Sequence, residues 1–143
     1  MDIDKFIVMG YSAGGYHTMA SVLKLKQEGI DVAGQVICYG FIKEIVETYN
    51  AMASEQRNSI CPSLFILADN DPISDGSLQY EEVLRNNGIK TEVKKYAGSI
   101  HGFIEENNPE YEQLNSKQSK SPEQEVMARD AEDYIKKWID SII

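Results

Sequence analysis

The stretch FIVMGYSAGGYHTMA, Phe6 to Ala20, decides how this chain folds. It runs four apolar residues into a Gly-Tyr-Ser-Ala-Gly-Gly knot and emerges at once in helical periodicity. That predicts a strand over residues 5–9, a tight turn, and a helix over 16–28 with Met19, Val22 and Leu23 facing inward. The nearly unbroken apolar run suits a strand covered on both faces, as in a parallel sheet.

Outward from this point the alternation repeats. Strands are predicted over 32–39 (VAGQVICY), 63–68 (SLFILA) and 91–96 (TEVKKY), and helices over 42–56 and 76–87, the latter stopped by Gly88 as a left-handed cap. The run Ser121-Pro122-Glu123-Gln124 reads as a capping box with proline in the first turn, opening a helix to the C-terminus with a stripe of Met127, Ala131, Tyr134, Ile135, Trp138 and Ile142. The polar residues 105–120 read as a long surface loop. Four strand-helix alternations, with connections too long for hairpins, predict an α/β chain: a parallel sheet of about four strands with right-handed crossovers and flanking helices. At 143 residues, 42% of them hydrophobic, the chain is sized for one domain over 1–143.

Charge excludes some partners. With 14 basic against 23 acidic residues and a net charge of −9, the chain is a poor match for a phosphate backbone or an anionic membrane surface. No apolar run approaches the roughly 20 residues of a spanning helix, and Met1-Asp2-Ile3-Asp4 lacks a basic leader, so a cytoplasmic location is expected. Cys38 and Cys61 sit in or beside apolar runs without CxxC spacing, and are expected to be buried free thiols. Nothing implies a metal or organic cofactor.

The knot itself carries chemistry. Gly10-Tyr11-Ser12-Ala13-Gly14, between a strand and a helix, has the pattern of a nucleophile elbow. The turn lifts the Ser12 hydroxyl above the sheet in a strained conformation, and side chains at either flanking glycine are expected to collide with neighbouring backbone. Ser12 then stands at a helix N-terminus, where the Ala13 amide points to the place an oxyanion would form. The competing reading is a glycine-rich turn with a capping serine. A serine hydroxyl needs a base, and the base an orienting carboxylate. Of the two histidines, His17 lies one turn into the helix and reads as a surface or packing residue. His101, in Gly98-Ser99-Ile100-His101-Gly102-Phe103, follows the fourth strand at the sheet end where α/β sites collect. Asp69, Asp71 and Asp75, after the third strand, each fit the position of the carboxylate.

"GYSAGG" and "DNDPISDGSLQYEEVLRNNGIKTEVKKYAGSIHGF" together resemble the C-terminal half of the α/β-hydrolase esterases, in particular the hormone-sensitive-lipase-like and acetyl-esterase-like branch. Dienelactone-hydrolase-like proteins share a similar ending. The likeness covers about Asp4 to Phe103, and the last helix fits as well. It implies Ser12 as nucleophile, Asp71 before Pro72 as triad acid and His101 in "HGF" as general base, acting on a small acylated substrate through an acyl-enzyme; peptidases and thioesterases use the same triad.

The departure from that family is equally specific. Its second oxyanion donor comes from an earlier strand and loop, often HGGG-like, and nothing of that kind precedes Ser12 here. The resemblance therefore implies a partial domain whose strand at 5–9 becomes a sheet edge, with only the last helix on one face. Two expectations follow: weak hydrolysis, with an inactive half-domain acting by association as the alternative; and a homodimer paired through that exposed strand.

Overall fold

A computed structural model of the protein describes residues 5–111 and 120–143. Four parallel strands, β1 (Ile7–Tyr11), β2 (Gly34–Cys38), β3 (Ser63–Ala68) and β4 (Thr91–Tyr96), lie side by side in chain order. Their register sets Met9 beside Val36, Ile37 beside Phe65 and Ile66 beside Lys94. The helices are α1 (Ala13–Gln27), α2 (Ile45–Asn50), α3 (Ser54–Arg57), α4 (Pro72–Gly76), α5 (Leu78–Asn86), α6 (Phe103–Glu106) and α7 (Pro122–Ile142).

Alternation along the strands sends side chains to two cores. On one face Met19, Val22 and Leu23 of α1, Tyr49 of α2 and Leu84 of α5 pack on Ile37, Phe65 and Leu67. On the other, Phe103 of α6 and Ala128, Ile135 and Trp138 of α7 cover Val36, Leu64 and Ile66. Each fully buried aliphatic or phenylalanine side chain contributes roughly 1.5–3 kcal/mol. The sides are those expected from right-handed crossovers, except that α6 joins α7. β2 and β3 are buried throughout, whereas β1 forms one edge of the sheet and leaves Met9 37% exposed.

Several boundaries move for physical reasons. β1 runs on through Gly10 and Tyr11, and Ser12 N–H donates to the Cys38 carbonyl (2.9 Å) just past its end. Helix α1 then begins at Ala13, so the knot is the helix start itself. The helix predicted over 42–56 is two pieces, because Met52 is drawn into the core and extended Ala53 (φ −60°, ψ 146°) interrupts it. The helix predicted over 76–87 is preceded by α4, which Asp71 caps by accepting from Ile73 N–H. Gly88 takes φ +82°, as its capping role requires.

Within 105–120, the predicted loop is displaced at its start by α6, because burying Phe103 and Ile104 winds the chain, and a 3₁₀ turn follows at Pro109–Tyr111. Residues 112–119 of the predicted loop lie outside the described residues. The capping box at α7 is half formed. Ser121 Oγ accepts from Gln124 N–H (3.1 Å), but the Gln124 side chain bonds elsewhere. Cys38 and Cys61 are free and buried. Among the described residues no helix is long and apolar enough to cross a membrane.

Candidate active site

Backbone strain gathers at the carboxyl ends of the strands. Within two residues of each strand stand Ser12 (φ +56°), Tyr39 (φ +38°), Asn70 (φ +51°) and Gly98 (φ +82°). For the three non-glycine residues this conformation costs on the order of 1–3 kcal/mol each, a cost the surrounding structure must impose.

At the first of these ends the steric reason is visible. A methyl group at Gly10 would lie 2.1 Å from the Gly14 carbonyl oxygen and 2.8 Å from Thr18 Oγ1. One at Gly15 would lie 2.7 Å from Gly40 Cα, so α1 crosses the end of β2 in backbone contact. The expectation that both glycines flanking the serine are sterically required is corrected here. Among the described residues nothing lies within 4 Å of such a methyl at Gly14, which sits in the first turn of α1.

Ser12 does not cap α1 with its side chain. Its hydroxyl instead lies 2.8 Å from His101 Nε2, across 89 residues of sequence. The other ring nitrogen, Nδ1, is 2.5 Å from Asp71 Oδ2. Asp71 is only 6% exposed, and its second oxygen accepts from Ile73 N–H (3.1 Å), so the acid is held by the helix it caps. With the imidazole neutral, Ser12 O–H donates to Nε2 and Nδ1–H donates to Asp71. This is the geometry in which a base withdraws a hydroxyl proton while a buried carboxylate steadies its ring. Ala13 opens α1, so its N–H is among the first-turn amides that no helical carbonyl reaches.

The other expected residues separate cleanly. Asp69 accepts from Gly98 N–H (2.8 Å), and Asp75 pairs with Lys95 (3.5 Å). The Gly98 N–H is the main reason the Asp69 carboxyl sits below its usual range, with Asn70 N–H and Lys95 adding to it. His17 does not reach Ser12; it lines a pocket of about 270 Å³ with Ala13, Tyr16, Phe41 and Lys43.

The residues around the His101 ring were not legible in the sequence. The Tyr39 ring packs 4.9 Å from the His101 ring, with Phe41 at 6.2 Å. The Tyr39 hydroxyl accepts from Ile104 N–H (3.2 Å) and donates to Glu105, whose carboxyl burial pushes up. The signal that could have found Tyr39 is its position directly after β2, the counterpart of Ser12 after β1.

Residues 1–140 match a family model described as the Dienelactone hydrolase family. No curated protein matches the sequence. The fold is similar to a fungal esterase from Rhizomucor miehei, at 16% identity and TM-score 0.68, over 94% of this chain and 50% of that one. It is similar to an esterase from Pyrobaculum calidifontis at 18% identity and TM-score 0.66, over 93% and 51%. A thermostable esterase from Pseudomonas putida aligns at 20% identity and TM-score 0.56, over 68% and 42%. The chain thus spans about half the length of the solved structures it resembles.

Proposed function

The chain belongs to the dienelactone hydrolase family, and from that premise we propose that it is a serine ester hydrolase in which Ser12, Asp71 and His101 act together on a small acylated substrate. His101 Nε2 takes the Ser12 proton as Oγ attacks the acyl carbon, and Asp71 steadies the resulting imidazolium. Charge gathering on the carbonyl oxygen meets the Ala13 N–H at the positive end of α1. The intermediate collapses, the C–O bond to the alcohol breaks, and the alcohol leaves with the proton held on Nε2. Water, deprotonated by the same nitrogen, then attacks the acyl-enzyme and frees the acid and Ser12.

The observation that carries this reading is the continuous path of 2.8 Å and 2.5 Å from Ser12 through the imidazole to Asp71. A hydroxyl capping its own helix would have no use for a partner 89 residues away. A fluorophosphonate probe tests it on the folded chain: wild type should be labelled at Ser12 and Ser12→Ala should not. Equal labelling of the two, or none of folded wild type, overturns the reading.

A second reading, association through the side of the sheet, draws on β1, which stands at one edge of the four strands with Met9 37% exposed.

A further inference from the structure

We infer that Gln124, on the last helix, positions His101 by holding the backbone of the loop that carries it, an inference that rests on the proposed role of His101 as the base. Gln124 is 5% exposed, and both ends of its amide are committed to that loop. Its Nε2 donates to the Gly98 carbonyl (2.8 Å), and its Oε1 accepts from Ile100 N–H (3.0 Å). The second bond grips the residue directly before His101.

A glutamine three residues after a helix-capping serine ordinarily folds back onto the cap's own backbone. Here Ser121 still caps α7 with its hydroxyl, so the first turn keeps its partner while the Gln124 amide reaches across to a different element. From the opposite side Asp69 accepts from Gly98 N–H (2.8 Å), and its own N–H donates to Ser99 Oγ (3.0 Å). The loop is therefore clamped between β3 and α7.

Hydrogen bonds carry this clamp because packing contributes little at the residue nearest the base. Gly98 has no side chain to bury, and Ile100 is 47% exposed. Helix α7 is itself seated on the sheet through Ala128, Ile135 and Trp138, so the amide ties the histidine loop to a rigid element. A buried amide stripped of these partners would leave the loop's own Ile100 N–H and Gly98 carbonyl unsatisfied as well.

The experiment compares Gln124→Met, which keeps length and volume but makes neither bond, with Gln124→Glu, which keeps an acceptor for Ile100 N–H, and with Ser121→Ala, which weakens the same helix turn without touching the amide. The first readout needs no substrate: amide exchange at Ile100, and the ring Cε1–H resonance of His101, distinguished from His17 by His17→Gln. In Gln124→Met, Ile100 exchange should accelerate and the His101 resonance should shift toward that of exposed His17, with Gln124→Glu intermediate and Ser121→Ala like wild type. The second readout is ester hydrolysis, where kcat should fall about 10- to 100-fold in Gln124→Met with KM unchanged, the range expected when a reacting group is misplaced by about an ångström. If Gln124→Met does not fold, Gln124→Glu carries the same comparison. A His101 resonance and Ile100 exchange unchanged in the folded variant overturn the inference. A displaced resonance in a protein whose wild type turns over no ester would instead leave the positioning intact and defeat the proposed hydrolase reading.

Discussion

Asp69 and Asp71, two residues apart beyond the end of β3, both reach the loop that follows β4, but only Asp71 touches the His101 ring. Asp71 approaches Nδ1 at 2.5 Å from a buried position, whereas Asp69 accepts from Gly98 N–H and lies within 3.7 Å of the Lys95 ammonium. One carboxylate orients the ring and the other holds the loop.

Asp71→Asn should therefore lower kcat for p-nitrophenyl acetate by about 10⁴-fold, the scale seen when a triad carboxylate becomes an amide and the ring takes the wrong tautomer. Asp69→Asn retains an oxygen for Gly98 N–H and should stay within about 10-fold of wild type, a displacement of the loop well under an ångström. Equal losses from the two would contradict the division of roles.

The glycines of the elbow differ in the same way. Gly10→Ala drives a methyl to 2.1 Å from the Gly14 carbonyl oxygen, so it should unfold the elbow or abolish probe labelling. Gly14→Ala meets nothing within 4 Å among the described residues and replaces glycine in a helix, which should stabilise by up to about 1 kcal/mol. Thermal melts of the two variants check the pair, and a destabilised Gly14→Ala would show the first turn to be more crowded than described.

Glu105 predicts a pH dependence. Burial raises its carboxyl above the ordinary range, more than the Tyr39 hydroxyl and its own backbone lower it; Glu106 adds to the rise, and His101 opposes it. A raised folded value means that folding favours the protonated form. The stability it contributes is present below the ordinary carboxylate range and is lost as pH rises through the raised value. Glu105→Gln removes that loss, so its melting temperature should exceed that of wild type at pH 8 and approach it at pH 4. The opposite ordering would mean that the charged carboxylate is the stabilising form.

The proposed association through β1 has a directional test. Phe6 O accepts from Ala33 N–H and Ser12 N–H donates to Cys38 O, so even-numbered residues turn their backbone groups toward β2, and those of Ile7 and Met9 turn away. Two copies pairing antiparallel across a two-fold axis would use that outward row. Met9→Pro removes an outward donor and should convert a dimer to a monomer in light scattering at micromolar concentration, with circular dichroism unchanged. Val8→Pro would cut the intrachain ladder instead. A monomeric wild type would end this proposal.

Sequence alone was sufficient for much of what depends on neighbours along the chain. The apolar runs placed four strands, Gly88 marked a left-handed cap, and the knot at Gly10–Gly15 announced the strained serine, whereas the residues alone left Asp69, Asp71 and Asp75 open and only the resemblance to a family motif pointed to Asp71. These signals are local because a strand's burial, a helix's stripe and a glycine's backbone freedom are written within a few residues. The tertiary structure decided what depends on contacts across long stretches of chain. It turned Gln124 from its own cap to the histidine loop, packed Tyr39 against the imidazole, and gave the close backbone crossing to Gly15 rather than Gly14. Between Gln124 and Ile100 or Ser12 and His101 no spacing rule operates; the parallel sheet, which points the carboxyl ends of all four strands the same way, and the seating of α7 on its face make them neighbours.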